Sequence, residues 1–489
     1  MDPQRDGSRR TGVTGMPGTE LTPTDAPSDD GSWRAWLATA SALALAYALY
    51  VGRGGPYPIP LAFLALAIVL AAAAVLARTR PWLPMRGRVG RMLGFGLAAQ
   101  LALLIVWPLT NPLQLASPVE YLPYWVAMAL AAAIAAAPIF GIGRSGWWRL
   151  LALVAIHFVV GVWVIDKVPE PFIDLFFMQA DGARALVEGV NPYLPIYPNI
   201  HGPDSPYYGP GLVVDGELTI GFPYPPLSLL LVVPGEMLAG DPRFAHLAAI
   251  SLATIVMAAT RPGSIATGAS LLYLFTPGTF LMVVLAYTEP LAILMLALVL
   301  AAAVRAPRLV GPALGLLIAS KQSLLVGLPL ALLMLAPDWR ARWRIGWQSV
   351  LVAALVTVPF VLWDVGAFAW SAFGSLVVQA FRPDSLTFLA PLPGDWGPRL
   401  SLLGFVLLVP LAALIYLRAP RSPSGFASSV ALALIVLFAF SRQGSVNYYL
   451  AVVGALCCAV AAGAWQPSAA PEDERASATQ PQAEPGLAT

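Results

Sequence analysis

The chain has 489 residues, of which 58% are hydrophobic and only 11% are charged, and its mean hydropathy is +0.73. Because an average soluble domain carries about a quarter charged residues, this chain lacks the polar side chains to coat a water-soluble globule of its size. A net charge of +2 on so long a chain gives no indication of a nucleic-acid partner. The composition therefore predicts an integral membrane protein whose main solvent is the lipid bilayer.

The apolar segments are predicted to be helices. In lipid every backbone N–H and C=O must be paired within the protein, so a spanning segment is either a helix or part of a closed barrel. The apolar runs here are continuous and rich in Leu and Ala, and many approach the ~20 residues that cross a bilayer, whereas barrel strands alternate polar and apolar residues. We expect an all-α, polytopic bundle of about 11–14 transmembrane helices.

Two polar tails enclose the apolar part of the chain. Residues 1–32 and 466–489 have the composition of disordered tails, and both are expected in the cytoplasm. Between them we expect a four-helix membrane region at residues 33–147 and a second membrane region at 148–465, interrupted by a long polar insertion at 166–222. The predicted apolar segments are Trp33–Val51, Tyr57–Ala77, Met92–Leu109, Leu122–Ile142, Trp148–Ile165, Pro225–Leu238, Ala245–Ala259, Ile265–Ala286, Leu291–Val304, Pro312–Leu335, Trp347–Trp363, Leu400–Leu417, Phe426–Phe440 and Tyr448–Ala464.

The arginines predict the orientation of these segments, because loops rich in Lys and Arg stay in the cytoplasm. Four arginine-rich loops agree with a cytoplasmic N-terminus and place the 166–222 insertion outside. Simple alternation, however, would put Arg305 and Arg308 outside as well. A broken or re-entrant helix around Pro277–Gly278, or one around Lys321, would restore the rule. The arginines of the four loops are Arg78, Arg80, Arg86, Arg88, Arg91, Arg144, Arg149, Arg340, Arg342, Arg344, Arg418 and Arg421.

The external insertion contains one predicted helix, which begins at Asp174 and reaches Gly189. At ~100° per residue, one face of this helix carries four charged residues within about 80° of each other, and another carries an apolar stripe. Such a helix is typical of the membrane interface. Its charged residues are Asp174, Asp181, Arg184 and Glu188, and its apolar stripe is Phe176, Ala180, Ala183 and Val187. A simple alternative role for Asp174 is a helix N-cap.

Several polar residues lie in or beside the apolar runs. An ionisable side chain at membrane depth costs at least ~2.5–3.5 kcal/mol, so it usually faces a cavity and indicates function. Glu289, Lys321 with Gln322, and Asn447 are the clearest candidates, whereas Arg442, at a helix end, fits better as a residue that reaches the membrane surface. The two cysteines are adjacent, and the three histidines have no paired ligand spacing, so no metal site and no cofactor is expected.

These residues occur in an order that is similar to a known family. Asp174…Ala-Arg-Ala-Leu-Val-Glu-Gly-Val-Asn-Pro-Tyr193…Phe-Pro-Tyr-Pro-Pro226 resembles the first external loop of glycosyltransferases with the GT-C fold. It looks most like the polyprenol-phosphate-mannose-dependent mannosyltransferases of actinobacteria. Tyr287-Thr-Glu-Pro290 is similar to the Tyr-Thr/Ser-Glu motif of GPI-anchor mannosyltransferases, and Ser320-Lys-Gln322 and Phe381-Arg-Pro-Asp-Ser-Leu386 resemble segments of bacterial members. The resemblance covers roughly residues 148–464, and the four preceding spans depart from the simplest family pattern.

The resemblance implies a GT-C-like bundle that transfers a sugar, with mannose favoured, from a polyprenyl-phosphate donor to a hydroxyl of a glycolipid or glycan acceptor on the extracytoplasmic face. Asp174 would be the general base, with inversion at the anomeric carbon. Lys321 and Arg382 would meet the leaving phosphate. The family does not need a metal-chelated diphosphate, so the lack of an Asp-x-Asp motif is no objection. The other predicted donor or acceptor contacts are Gln322, Glu289, Tyr193, Tyr224 and Asn447.

Two other classes remain open. A multi-pass transporter or lipid flippase would share the apolar helices and the buried charges, but it usually has internal repeats and short loops. A polysaccharide polymerase or ligase would be expected to use several arginines in the external loop, whereas this acidic loop contains only Arg184.

Overall fold

The computed structural model of the protein describes residues 32–78, 88–106, 117–137, 146–203 and 205–463. The expected tails at 1–32 and 466–489 lie outside these ranges, except that Ser32 begins the first helix. Arg80, Arg86 and Arg144, which contributed to the predicted orientation, also lie outside them.

Among the residues that the structure describes, five α-helices precede the predicted external insertion. The first two are antiparallel, since the Arg34 guanidinium near the start of α1 donates to the carbonyls of Ala74 (2.5 Å) and Ala77 (2.8 Å) at the end of α2. Their contact surface consists largely of alanines, which let the two backbones approach closely. These helices are α1 (Ser32–Gly52), α2 (Pro58–Leu76), α3 (Arg88–Val106), α4 (Leu122–Ala136) and α5 (Gly146–Lys167).

The predicted insertion contains one helix, α6 (Asp174–Val187), and a two-stranded antiparallel hairpin of β1 (Val213–Val214) and β2 (Glu217–Leu218). The two residues between the strands, Asp215 and Gly216, both have positive φ (53° and 85°). That conformation is the hairpin turn that an Asp-Gly pair favours. In α6 the predicted apolar stripe is buried at Phe176, Ala180 and Ala183, but Val187, at the end of the helix, is exposed.

The remaining helices form the rest of the bundle. The innermost of them, α19 and α20, have almost entirely buried residues, whereas α14 and α18 bury only a few of theirs. The helices are α7 (Pro226–Ala239), α8 (Arg243–Thr260), α9 (Ser264–Leu274), α10 (Thr279–Val284), α11 (Glu289–Arg305), α12 (Val310–Ile318), α13 (Gly327–Met334), α14 (Trp339–Trp363), α15 (Val365–Ala369), α16 (Ser375–Val378), α17 (Trp396–Arg399), α18 (Leu403–Arg418), α19 (Pro423–Ala439) and α20 (Val446–Ala462).

The prediction of an all-α, polytopic membrane protein is confirmed. Within the described ranges, 7 helices are long and apolar enough to cross a membrane. Shorter apolar helices pack among them, and several of these are parts of a segment that the sequence presents as one apolar run.

Two of the predicted apolar segments are interrupted. The first breaks between α9 and α10, where Gly278 has a φ of 113° and a Cβ atom would lie 2.9 Å from a Leu450 methyl group. The second breaks between α12 and α13, where Lys321 is extended and a 3₁₀ helix, Gln322–Val326, follows it. The sequence left open which of the two places would be broken, and the structure breaks the chain at both.

Candidate functional site

A buried ion pair joins the α12–α13 interruption to the first residue of α11. The Lys321 ammonium, in the α12–α13 interruption, donates to Glu289 Oε1 (2.5 Å) and to the Thr288 hydroxyl (3.0 Å). The Glu289 side chain is 1% exposed and that of Lys321 is 7% exposed. An isolated charge at this depth would be very costly, so each of the two groups depends on its partner.

Glu289 and a further partner, Asn447, both lie at the starts of helices. Glu289 is the first residue of α11, where a carboxylate interacts favourably with the helix dipole. Asn447, in the first turn of α20, donates to the same Oε1 of Glu289 (2.7 Å). The other oxygen, Oε2, is buried and accepts no hydrogen bond from any described residue. Glu289 therefore retains one acceptor for a hydroxyl group within an otherwise satisfied cluster.

Aromatic rings surround the lysine. The Lys321 ammonium lies 4.6 Å from the ring centroid of Tyr224 and 5.4 Å from that of Tyr448. Such cation–π contacts stabilise the charge where water is scarce. Tyr224 belongs to the segment between the β-hairpin and α7, so the residues that directly follow the predicted external loop form one wall of the cluster.

Two of the predicted site residues hold that wall in place. The Gln322 amide donates to the carbonyls of Pro223 and Ala372, both at 2.7 Å. The Tyr193 hydroxyl donates to the Tyr224 carbonyl (2.8 Å), and Tyr193 is fully buried. In the structure Tyr193 and Gln322 thus support the backbone of this segment, since the Tyr193 hydroxyl and the Gln322 amide nitrogen both donate to its carbonyls.

Asp174 lies at the start of α6. Its Oδ1 accepts from the Leu175 N–H (2.7 Å), and its Oδ2 accepts from the Tyr208 hydroxyl (3.3 Å). Ile173 occupies the N-cap position, and Asp174 is the first helical residue. Burial and the neighbouring Asp174 carboxylate raise the pKa of Tyr208, so the phenol stays protonated and remains a donor.

Arg382 lies beside Tyr207, the residue before Tyr208. Its guanidinium is 4.3 Å from the ring centroid of Tyr207, and it forms two hydrogen bonds with the Asp384 carboxylate (2.9 and 2.7 Å). Those bonds lower the pKa of Asp384 and raise that of Arg382. The pair is partly exposed, with 62% of the Asp384 side chain accessible.

Electrostatic interactions link the loop residues to the buried pair. The charges of Glu289 and Asp174 both act on the hydroxyls of Tyr224 and Tyr287. Arg382 acts on Tyr287 as well. The Tyr224 and Tyr287 hydroxyls therefore lie within electrostatic range of both the Asp174 and the Glu289 carboxylates, and Tyr287 also lies within range of Arg382.

One buried polar network in this region was not predicted from the sequence. Gln179, on α6, donates to the Ala286 carbonyl (2.5 Å) and the Leu175 carbonyl (3.2 Å) and accepts from His246 Nε2 (2.6 Å), on α8. Gln179 and His246 are both fully buried. Ala286 has a φ of 51°, which is rare for a residue other than glycine, and it directly precedes the Tyr287-Thr-Glu segment. The network therefore ties the helix that carries Asp174 to the break that leads to Glu289.

A second network fixes the start of the predicted insertion. The fully buried Arg243 guanidinium donates to Asp241 and to the carbonyls of Val168 (2.6 Å) and Pro169 (3.3 Å). It also lies 5.0 Å from the ring centroid of Phe176. Arg442 likewise donates to two carbonyls, those of Val377 and Gln379, at the end of α16.

Comparison with known proteins gives one structural similarity. No family model matches the chain, and no curated protein matches it. The chain is similar to the crystal structure of ArnT from Cupriavidus metallidurans bound to undecaprenyl phosphate, with 17% sequence identity and a TM-score of 0.42. The alignment covers 65% of this chain and spans 60% of that one.

Proposed function

We propose that the protein is a GT-C-type membrane glycosyltransferase. It would transfer a sugar, with mannose favoured, from a polyprenyl phosphate to a hydroxyl of a glycolipid or glycan. The observation that carries this proposal is the grouping of a loop carboxylate, Asp174, with a buried polar cluster at two helix breaks. The site would lie on the extracytoplasmic face and both termini in the cytoplasm, with the catalytic region at residues 148–465.

Asp174 supplies the base in this proposal. An acceptor hydroxyl is a poor nucleophile, and a carboxylate that removes its proton as the new bond forms lowers the barrier. Tyr208 donates to one oxygen of Asp174 and thereby orients the carboxylate. The hydroxyl attacks the anomeric carbon, the bond from that carbon to the phosphate oxygen breaks, and the configuration at the anomeric carbon is inverted. The proton stays on Asp174 until solvent removes it.

The leaving phosphate requires positive charge, and the two candidate cations differ in availability. Separating the buried Lys321 from Glu289 would leave an uncompensated buried charge, which costs about 3–5 kcal/mol. The Arg382–Asp384 pair is partly exposed, and exposed pairs contribute only ~0–1 kcal/mol. Arg382 is therefore the cation that turns more readily to the phosphate. Lys321 then holds Glu289, whose Oε2 and the nearby Tyr224 hydroxyl contact the sugar.

A transporter is the second candidate, because discontinuous helices with charged groups at the breaks also form ion and substrate sites in transporters. One assay separates the two functions. Purified protein in vesicles is incubated with labelled polyprenyl-phosphate mannose and an extract of membrane glycolipids. Label in a new glycan product supports transfer. Label that crosses the bilayer on an unchanged donor supports transport and overturns the proposal.

The sidedness is tested separately by cysteine labelling. A cysteine at Ser205, in the predicted external loop, should react with an impermeant thiol reagent added to intact cells, and one at Arg340, in a predicted cytoplasmic loop, should not. Cys457 and Cys458 are buried, so they give little background. The reverse pattern would place the site in the cytoplasm.

A further inference from the structure

A groove separates α1 from α3. Its volume is about 750 Å³, and Phe95 on its rim is 75% exposed. The two helices are parallel, since Leu43 lies against Gly96 and, seven residues further on in both helices, the Tyr50 hydroxyl donates to the Leu103 carbonyl. The lining is mostly apolar and includes Trp36, Leu43, Tyr47, Met92, Phe95 and Leu103. From Arg88 to Leu103 the groove follows ~22 Å of helix, which exceeds the ~15 Å depth of one leaflet.

Positive charge is concentrated at one end of the groove. Arg88 and Arg91, one turn apart at the start of α3, both line it. Because the helices are parallel, Trp36, near the start of α1, lies at the same end. Neither guanidinium forms a hydrogen bond or an ion pair with another residue that the structure describes.

The sequence around the groove contains no compensating charge. Residues 31–119 include seven arginines and neither an aspartate nor a glutamate. The two groove arginines therefore have no carboxylate partner within this part of the chain. An arginine fork matches a phosphate group well in geometry and charge.

We propose that the groove binds one anionic glycerophospholipid of the surrounding bilayer. Arg88 and Arg91 pair with the phosphate of the head group, and one acyl chain lies along the apolar wall between α1 and α3. Basic sites between membrane helices on the cytoplasmic side are known to select anionic head groups, and the predicted orientation puts this end there. Trp36 sits at the depth of the head groups, where tryptophan is favoured.

The inner part of the groove touches the interrupted segment of the site. Pro277, in the α9–α10 break, lines the groove. Gln100, another lining residue, donates to the Thr276 hydroxyl (3.4 Å) beside that break. A lipid in the groove thus packs against the α9–α10 break, and helix α10 connects that break to Tyr287 and Glu289. This site gives the N-terminal helices a role of their own, and it does not depend on the proposed sugar transfer.

Native mass spectrometry of the full chain in detergent tests the proposal. Phosphatidylglycerol should bind in preference to phosphatidylcholine with the same acyl chains. The double variant Arg88→Gln/Arg91→Gln should weaken phosphatidylglycerol binding roughly 25-fold, which corresponds to ~1 kcal/mol for each arginine, and should leave phosphatidylcholine binding unchanged. The matched control Arg418→Gln/Arg421→Gln removes two exposed arginines at the end of α18 and should change neither.

A second variant tests the acyl-chain part of the groove. Ala99 is an exposed lining residue, so Ala99→Phe should fill the groove without disturbing the core and should lower phosphatidylglycerol binding at both low and high salt. Equal binding of the two lipids, or full binding by either variant, would overturn the proposal. Displacement of phosphatidylglycerol by an equimolar polyprenyl phosphate would overturn the assignment to a glycerophospholipid. Unchanged thermal unfolding of the variants shows that they remain folded.

Discussion

The cations of the first three helices and the cation at the helix breaks differ in their binding partners. In the N-terminal helices, Arg88 and Arg91 line an open groove and no described residue pairs with them. At the breaks, Lys321 is buried, and its ammonium is bonded to Glu289 and Thr288 and flanked by two tyrosine rings. An arginine at the membrane surface can obtain a counter-charge from lipid, whereas a buried lysine must obtain one from the protein.

That difference indicates where each charge acts. A cation without a protein partner is available to a ligand at little cost, so the groove arginines fit a binding role. A cation that is fully compensated contributes chiefly by fixing its partner, so Lys321 defines the position of Glu289. Arg382 lies between the two cases, because its partner Asp384 is largely exposed.

The largest effect on turnover is expected for substitution of Asp174. Its result decides whether the region of the helix breaks is catalytic. Asp174→Asn keeps an oxygen that can accept from the Leu175 N–H, but it cannot accept a proton. Turnover should therefore fall by ~10²–10⁴, with expression and donor binding nearly unchanged. Sugar transfer in reconstituted vesicles measures this. Asp174→Glu should recover little, because a shift of about 1 Å can cost ~100-fold.

If Asp174 serves only the start of α6, the Asn variant keeps nearly full activity. Asp174→Ala would then cost only ~1 kcal/mol of helix stability, as for a lost cap. An active Asn variant would remove Asp174 from the mechanism and make Glu170 and Asp166 the next carboxylates to test.

The next largest effect is a loss of stability on substitution of the buried Lys321, compared with the exposed Lys167. Lys321→Met should lower the free energy of unfolding by about 3–5 kcal/mol, because Glu289 stays buried without its partner. Lys321→Met/Glu289→Gln should regain most of that loss. Lys167 pairs with Asp166 at the surface, so Lys167→Met should change stability by less than ~1 kcal/mol. Thermal unfolding in detergent compares the three, and equal losses in the two single variants would contradict the distinction.

The residues of the buried ion pair could be predicted from the sequence more readily than the residues that support them. Glu289, Lys321 and Asn447 could be found because a polar side chain in or beside an apolar run needs a compensating partner or a cavity. Both helix breaks were also anticipated as alternatives, since the arginine distribution required at least one. The arginine distribution could not decide between the two breaks, because Pro277–Gly278 and Lys321 are equally plausible local interruptions.

The supporting residues could not be predicted in the same way. Gln179 and His246 are 67 residues apart in the chain, and their contact exists only because α6 and α8 both pack against α7. Tyr193 was expected to bind sugar, but nothing in the Asn-Pro-Tyr sequence shows that its hydroxyl is used by the Tyr224 carbonyl. The Asp215-Gly216 turn did carry a recognisable hairpin signal. From the sequence, however, only one helix and no hairpin were predicted in the insertion.

A smaller effect is expected at Gln179, which connects the loop helix to the α10–α11 break. Gln179→Leu leaves the Ala286 carbonyl and His246 unpaired, so α6 should shift against Tyr287 and Glu289. We expect turnover to fall about 10- to 100-fold with donor KM nearly constant, since misplacement acts on the chemical step. Gln100→Leu is the control, because Gln100 is equally buried but bonds to Thr276 outside the cluster.

Gln179→Leu should also lose more stability than Gln100→Leu, because Gln179 forms three hydrogen bonds with other described residues and Gln100 forms one, so thermal unfolding alone does not show whether the site is affected. The turnover number separates them, because only Gln179→Leu should lower it. His246→Gln offers a further check, since the new amide can still donate to Gln179 Oε1 and should keep more activity than His246→Leu. Equal activity in all of these variants would assign the network a structural role alone.

The smallest effect concerns Arg382, where the proposal predicts opposite signs for the two partners of one ion pair. Arg382→Gln removes the available cation and should raise donor KM about 10-fold, the change expected for ~1.4 kcal/mol. Asp384→Asn releases Arg382 and should lower donor KM by about two- to fivefold, because an exposed pair contributes no more than ~1 kcal/mol.

The hydrogen bonds from Arg382 lower the pKa of Asp384 below its ordinary value of 3.8, so the pair persists above that pH and is lost only as the pH falls through the lowered pKa. Between about pH 5 and 8 the ratio of the wild-type donor KM to that of Asp384→Asn should therefore stay constant. A ratio that changes across this range, or a donor KM that rises in Asp384→Asn, would show that the carboxylate orients Arg382 and does not compete with the phosphate for it.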